Sequence, residues 1–297
     1  MPGISSTQFN LSRLALLRLL GLVILTSPAL AQTGLKLQLV SEQSAVVPGK
    51  PFTVGLWIRH DRGWHTYWRF PGIVGVPTQL KWDLPKGWQA GPLVYPEPER
   101  TLMFQIKAQG FDRDVMLRTE LRPPANLKPG VEVTLNAKAS WMCCGKSCHP
   151  GAMDLSLSLP VAATSTRNET WHGLLEAERA RSERTSDAWK AEASEHGGEI
   201  TLTLRPADAR ALVHTRQRDV EKIIVFTEDG WFDSDKPQTI TLHSDGTLSI
   251  GLIKADTYLG DKPPATLRCI LRHDDGWVKG ESWCCLQIAP VIRRSMR

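Results

Sequence analysis

The chain has 297 residues, a formal net charge of +5 at pH 7 and six cysteines. This length allows one large domain or two ordinary ones, each able to bury its own core. The charge is small and the sequence contains no Lys/Arg tract, so we expect no nucleic-acid partner.

The first 31 residues have the features of a secretory signal peptide. Arg13 and Arg18 precede the apolar run LLGLVIL, and the small residues Ala29 and Ala31 form an A-x-A cleavage site. The apolar run is much shorter than the roughly 20 residues of a membrane-spanning helix. We therefore expect residues 1–31 to be removed after Ala31, and the exported protein not to span the membrane.

Short strands are predicted throughout residues 32–163. Segments such as KLQLV, FTVGLWI and VEVTLNAKASW mostly alternate apolar and polar residues, as half-buried strands do. Pro- and Gly-rich turns such as VPGKP, LPKGW and KPGVE separate them. This pattern predicts an antiparallel β-sandwich of the immunoglobulin-like kind.

The composition changes after this domain. Residues 164–198 are rich in Glu, Ala and Arg and end in a Gly pair, which predicts a helical linker with a solvated charged face. Strand patterns such as EITLTL, EKIIVFTE and ATLRCILR return in residues 199–297. We therefore predict an all-β protein: a β-sandwich, a helical linker and a second, smaller β domain.

Three of the six cysteines lie in the segment ASWMCCGKSCHPG. Cys143 and Cys144 are neighbours, which on a strand face opposite sides, so only one of them can readily face Cys148. A turn at GKS would bring Cys144 and Cys148 to the roughly 5.5 Å Cα separation that a disulfide prefers. Such a small loop adds little stability, which favours a bond that opens and closes. Lys146 and His149 are adjacent cationic groups that would favour the reactive thiolate.

Two other functions are compatible with this segment. Cys143, Cys144, Cys148 and His149 could bind a metal ion, with soft thiolates favouring Cu(I) or Zn, although the four groups are crowded and partly on opposite strand faces. Copper is the alternative cofactor; thiol exchange itself needs none. The pair could also be an inert surface disulfide in a non-catalytic interaction module.

Several motifs resemble one known family. They are GWHTYWRFPGIVGVPTQLKW, LPKGWQAGPLVYPEPER, GFDRDVMLRTEL and ASWMCCGKSCHPG, within residues 64–161. Together they resemble the periplasmic N-terminal domain of DsbD-type thiol:disulfide interchange proteins, in the branch associated with suppression of copper sensitivity. The positions that match the family's W-x-x-C-x-x-x-C-x-P-G motif are Trp141, Cys144, Cys148, Pro150 and Gly151.

The resemblance implies an immunoglobulin-like periplasmic domain with a redox pair at Cys144 and Cys148. Such domains receive electrons from a membrane thiol-electron transporter and reduce oxidised, thioredoxin-like periplasmic proteins; related roles include cytochrome c biogenesis and copper tolerance. This implies a protein-disulfide reductase or electron relay. The sequence ends at Arg297 without the family's membrane domain, so we expect a separate membrane donor. The extra Cys143 keeps the metal alternative open.

The two sulfur atoms of the pair are expected to have different roles. Cys144 ends a long strand that should partly bury it. Cys148 follows the turn, between Lys146 and His149. Exposure and positive charge therefore favour Cys148 as the sulfur that faces the partner and Cys144 as the one that resolves the mixed disulfide.

The segment GWHTYWRFPG allows two interpretations. Its aromatic residues could form a wall that controls access to the cysteine pair. We favour core and strand-edge packing for Trp64, Tyr67 and Trp68, with His65 in solvent, because large aromatic residues dominate β cores.

The remaining cysteines lie near the C-terminus. A hairpin turning near Asp275 would make a cross-strand disulfide between Cys269 and Cys284 feasible, with Cys285 adjacent. Because no cation or tight turn accompanies them, we expect structural disulfides or buried thiols here.

Overall fold

The computed structural model describes residues 33–294. The predicted signal peptide, residues 1–31, lies outside the described residues. The strands of the N-terminal half are β1 (Leu35–Ser41), β2 (Phe52–His60), β3 (Thr66–Tyr67), β4 (Gln79–Asp83), β5 (Gln89–Ala90), β6 (Glu99–Met103), β7 (Ile106–Phe111), β8 (Val115–Arg122), β9 (Glu132–Cys144) and β10 (Cys148–Pro160).

These strands form antiparallel sheets. One sheet has the strand order β1-β2-β8-β5, a second has β10-β9-β4, and a third has β3-β7-β6. Alternate residues of β2 and β9 point to one shared interior, as the pleat of a strand requires. The buried residues that these two strands contribute to it are Phe52, Val54, Leu56, Ile58, Leu135, Ala137, Ala139, Trp141 and Cys143. The predicted all-β, immunoglobulin-like sandwich is confirmed.

The predicted helical linker is helical only in part. Helix α1 covers His172–Ala180 and buries Leu175. Residues Trp189–His196, inside the range predicted as helix, instead form strand β11, whose buried residues alternate with exposed ones. Ala and Glu favour helices in isolation, but pairing along its full length with the next strand outweighs that local preference.

The C-terminal half is a second β structure with its own core. After β11 its elements are β12 (Glu199–Pro206), α2 (Gln217–Val220), β13 (Ile224–Thr227), β14 (Thr239–Leu242), β15 (Leu248–Ile253), β16 (Cys269–Arg272), β17 (Cys285–Ile288) and β18 (Ile292–Arg294). The sheets have the orders β14-β15-β12-β11-β18 and β13-β16-β17. Only the β11–β18 pair is parallel among the paired strands described here.

The two halves are in direct contact and belong to one compact unit. The side-chain amide of Gln109, on β7, donates to the carbonyl oxygen of Thr227 and accepts from its N–H, both at 2.8 Å. Phe226, Ile270 and Cys285 from the C-terminal half are part of the sandwich core. The domain boundaries drawn from sequence at residues 163 and 198 stay predictions. Within residues 33–294, no helix is sufficiently long and apolar to cross a membrane.

Candidate redox site

Cys144 and Cys148 form a disulfide at the tip of the β9–β10 hairpin, with an S–S distance of 2.11 Å. β9 ends at Cys144, β10 begins at Cys148, and the two residues face each other in the antiparallel register. The turn between them is the predicted Gly-Lys-Ser, and the Gly145 N–H donates to the Ser147 carbonyl oxygen at 2.9 Å. The predicted pairing is therefore the pairing in the structure.

The backbone of Cys144 is fixed from the neighbouring loop. His65 and Cys144 exchange two backbone hydrogen bonds, at 2.9 and 3.0 Å. The Trp64 ring lies against Gly145: a Cβ atom on this glycine would be 3.0 Å from both the ring and the Gly63 carbonyl oxygen. The hairpin tip thus packs closely on this loop, and a side chain at position 145 would require Trp64 or the Gly63 backbone to shift.

The two sulfurs have different environments. Cys144 is buried, with 1% of its surface exposed, whereas Cys148 is half-buried. Cys144 packs in a small cluster with Tyr67 and Ala108, and Met103 lies at its edge. A partner in solution would therefore meet Cys148 first.

A hydrogen-bond chain ends on the buried sulfur. The Tyr67 hydroxyl donates to the Cys144 Sγ at 3.1 Å, and the His65 Nε2 lies 3.3 Å from the same hydroxyl oxygen. Burial raises the pKa of Tyr67 to about 12, with a smaller contribution from Cys143, so the phenol keeps its proton. Burial and His60 lower the pKa of His65 to about 4, so its ring is neutral near pH 7. A neutral His65 with its proton on Nε2 can donate to the Tyr67 oxygen while Tyr67 donates to sulfur.

The segment GWHTYWRFPG therefore both packs the core and contacts the cysteine pair. Tyr67 and Trp68 are fully buried, as the core-packing interpretation predicts. The expectation that His65 is solvated is wrong, because it is 5% exposed beneath the hairpin. The contact of Tyr67 with Cys144 was not predicted from the sequence. The available signal was the two-residue spacing of His65 and Tyr67, which places two polar aromatic groups on one face of a strand.

Lys146 and His149, which flank Cys148, have different environments. Lys146 is exposed in the turn. His149 is half-buried; its Nε2 lies 2.7 Å from the Ser147 hydroxyl and its ring centroid 5.5 Å from that of Trp64. Both residues stay candidate modulators of the pair.

Cys143 is separated from the disulfide. It is free and fully buried in the sandwich core, whereas the neighbouring Cys144 belongs to the small cluster on the opposite face. Burial, with a smaller effect of Asp61, raises the pKa of Cys143 to about 12. This residue is therefore an unreactive thiol near neutral pH. The structure does not bring Cys143, Cys144, Cys148 and His149 around one point.

The possible Cys269–Cys284 disulfide is not formed, and the alternative expectation, buried thiols, is confirmed for Cys269 and Cys285. Cys269 and Cys284 are free, because Cys269 pairs with Ile288 in the β16–β17 register, beyond the expected position. Cys284 instead lies next to Cys285, with a separation of 3.8 Å between the sulfur atoms. The expectation that no cation accompanies these cysteines is also wrong, since the pKa of Cys284 is lowered to about 6 by the Cys285 thiol and, to a smaller degree, by Arg272.

A family comparison and a structural comparison both relate the N-terminal half of the chain to known proteins. Residues 36–160 match the family described as "Thiol:disulfide interchange protein DsbD, N-terminal". The N-terminal periplasmic domain of ScsB from Proteus mirabilis has a similar structure: the TM-score is 0.61 at 18% identity, covering 89% of this chain and 95% of that one. This likeness shows the fold.

Other matches are weaker. A protein of unknown function from Porphyromonas gingivalis W83 gives a TM-score of 0.23 at 10% identity, covering 87% of this chain and 99% of that one. The search of curated proteins found no match. Residues 36–160 therefore resemble a DsbD-type N-terminal domain, and the shared fold and the hairpin disulfide agree with that likeness.

Proposed function

We propose that this protein is an exported thiol:disulfide exchange protein that reduces oxidised periplasmic proteins through Cys144 and Cys148. The observation that carries the proposal is the asymmetry of the hairpin disulfide. Cys148 is half-buried, whereas Cys144 is buried and its sulfur accepts a hydrogen bond from Tyr67. An attacking thiol must be accessible, and a resolving thiol must be held close to it.

The exchange proceeds in two steps. In the reduced protein, the Cys148 thiolate attacks one sulfur of the partner's disulfide; a mixed disulfide forms and the partner's second sulfur leaves as a thiolate, which takes a proton. The Cys144 thiolate then attacks Cys148, and the partner's first sulfur leaves in the same way. Two electrons pass to the partner, the Cys144–Cys148 bond is restored, and no cofactor is needed.

The Tyr67 hydroxyl contributes to the second step. Its proton points at the Cys144 sulfur, so it stabilises negative charge there and keeps the sulfur beside Cys148. The neutral His65 holds the phenol in place. In the reverse direction, one thiolate of a dithiol donor attacks the accessible Cys148, and Cys144 leaves as the stabilised thiolate. The donor's second thiolate then attacks its first sulfur, Cys148 leaves as a thiolate, and the pair is reduced while the donor is oxidised.

We further propose the partners from the family and from the molecular surface. The similar ScsB domain is described as periplasmic, which supports a periplasmic location here. The donor would be a membrane thiol-electron transporter and the acceptors thioredoxin-like proteins. An apolar surface lies close to the pair: Met103 packs on the cluster that contains Cys144, and its neighbours Leu102 and Phe104 are more than half exposed. Such a surface fits the apolar surroundings of a partner's active-site sulfur.

Single-cysteine variants test this function. With oxidised glutathione as the probe, Cys144→Ser should form a mixed disulfide through Cys148 rapidly, whereas Cys148→Ser should react slowly because Cys144 is buried. Peptide mapping of the alkylated products measures both. In cells, Cys144→Ser should accumulate a mixed disulfide with the donor or acceptor.

Cys143→Ser is the matched control, because it removes a neighbouring thiol that is buried away from the pair. It should leave the exchange rate unchanged. Faster trapping by Cys148→Ser would reverse the roles of the two sulfurs. No trapping by either variant, with the fold intact, would favour the non-catalytic interaction module.

A further inference from the structure

A second sulfur-containing cluster joins the two halves of the protein. Glu97, from the segment between β5 and β6, lies beside Cys284 and Cys285 at the start of β17. The Cys284 Sγ is 3.8 Å from the Cys285 Sγ and 3.7 Å from the Glu97 Oε1, and the three atoms lie within 4.8 Å of one another. Glu97 and Cys285 are buried, while Cys284 is half-buried and accessible to small ions.

Backbone hydrogen bonds hold Cys284 and Cys285 in place, and their sulfur atoms are not bonded to each other. The Cys284 carbonyl oxygen accepts hydrogen bonds from the His273 N–H and the Trp277 indole N–H, and the Cys285 carbonyl oxygen accepts one from the Arg184 N–H. Neighbouring Cα atoms are about 3.8 Å apart, below the usual range for a disulfide. Closing a Cys284–Cys285 bond would therefore require rearranging a peptide unit that is fixed on both sides. Binding of both sulfurs to one ion requires no such change.

The charges in the cluster favour a cation. Two thiolates and one carboxylate cannot all be ionised in a buried site unless positive charge balances them. Arg272 already pairs with Asp274, at 3.4 Å, so a divalent ion between the three groups would supply the balancing charge.

The distances fit a tetrahedral ion of the size of Zn²⁺. With Zn–S bonds of about 2.3 Å and a Zn–O bond of about 2.1 Å at tetrahedral angles, two sulfur ligands lie about 3.8 Å apart and a sulfur and an oxygen ligand about 3.6 Å apart. The corresponding distances in the structure are 3.8 and 3.7 Å.

We propose that Glu97, Cys284 and Cys285 are three ligands of a Zn²⁺ site that links the two halves of the protein. Water completes the tetrahedron on the exposed side of Cys284. The site is separate from Cys144 and Cys148 and does not depend on their exchange activity. Its role is structural, because one ligand comes from the sandwich and two come from the C-terminal half.

Metal titration of the full mature chain tests the site. The protein is kept anaerobic without added thiols, so that the Cys144–Cys148 disulfide stays closed and cannot bind metal. We expect one Zn²⁺ per chain. With Co²⁺ as the probe, we expect thiolate-to-cobalt charge-transfer absorption together with the intense d–d bands of a tetrahedral ion.

Variants then assign the ligands. Loss of an outer partner of a metal ligand costs roughly 10–100-fold in affinity, so loss of a ligand itself, in Cys284→Ser, should cost at least about 100-fold. Glu97→Gln should lower the affinity and change the Co²⁺ spectrum. Cys269→Ala is the matched control: it removes another buried free thiol of the same half, outside the cluster, and should leave the affinity unchanged.

Several results would overturn the proposal. One is failure of the native chain to bind Zn²⁺. Another is unchanged binding by Cys284→Ser. Unchanged binding by Glu97→Gln would indicate a two-sulfur site, of the kind that Cu⁺ prefers, and would also overturn it. If a variant fails to fold, X-ray absorption of the zinc-loaded native chain decides, since the proposal requires two sulfur ligands and the rest oxygen.

Discussion

Replacing Tyr67 by Phe removes one hydroxyl and nothing else from the environment of Cys144. That hydroxyl donates to the Cys144 sulfur at 3.1 Å. A hydrogen bond to a charged group contributes about 1.5–3 kcal/mol, whereas a disulfide sulfur is only a weak acceptor. The bond therefore stabilises the reduced, thiolate form by about 1.5 kcal/mol more than the oxidised form. Because about 1.4 kcal/mol corresponds to about 30 mV for two electrons, Tyr67→Phe should lower the reduction potential by roughly 30 mV.

The assay is equilibration in glutathione or dithiothreitol redox buffers, followed by alkylation and mass spectrometry of the peptide that contains Cys144 and Cys148. The matched control is Tyr95→Phe, which removes another buried hydroxyl, one that donates to the Thr78 carbonyl oxygen away from the sulfur atoms. An equal shift in both variants, or a rise in the potential of Tyr67→Phe, would refute the reasoning.

Two further predictions concern stability and the hairpin tip. The hydrogen bond from Arg179 lowers the pKa of Glu42 to about 2 from its ordinary value of 4.5. Glu42 therefore contributes stability above pH 4.5 that is lost as the pH falls toward 2. Since Arg179 is partly exposed, Glu42→Gln should lower the free energy of unfolding by about 1–2 kcal/mol at pH 7 and by much less near pH 2. Urea unfolding at the two pH values measures this difference. An equal loss of stability at both pH values would contradict the ion pair. Gly145→Ala should displace Trp64, measured by tryptophan fluorescence, and slow thiol exchange at Cys148, measured by glutathionylation. The control is Gly173→Ala, where an added Cβ meets nothing within 4 Å, and it should change neither signal. Equal effects of the two variants would contradict the close packing at Gly145.

The local sequence was sufficient for the features that neighbouring residues determine. Alternating apolar and polar residues in segments such as Glu132–Cys144 predicted strands, because each side of a half-buried strand meets a different environment. The Gly-Lys-Ser turn predicted the Cys144–Cys148 pairing, because a tight turn places the residues at its two ends opposite each other. The opposite orientation of Cys143 follows from the same pleat.

Features that depend on distant segments needed the tertiary structure. Trp189–His196 has the composition of a helix, but it becomes a strand because a partner strand offers hydrogen bonds along its whole length. The position of Cys269 opposite Ile288 depends on the exact register of a hairpin with a long connection, which turn composition alone does not define.

The polar contacts of the two cysteine sites show this dependence on distant segments most clearly. Tyr67 and Cys144 are 77 residues apart, and Glu97 and Cys284 are 187 residues apart. The sequence alone determined that this is a β protein with a cysteine pair at a hairpin tip. Only the tertiary structure determined which phenol donates to the buried sulfur and which carboxylate meets the second pair of thiols, because such contacts arise where separately folded strands and loops pack together.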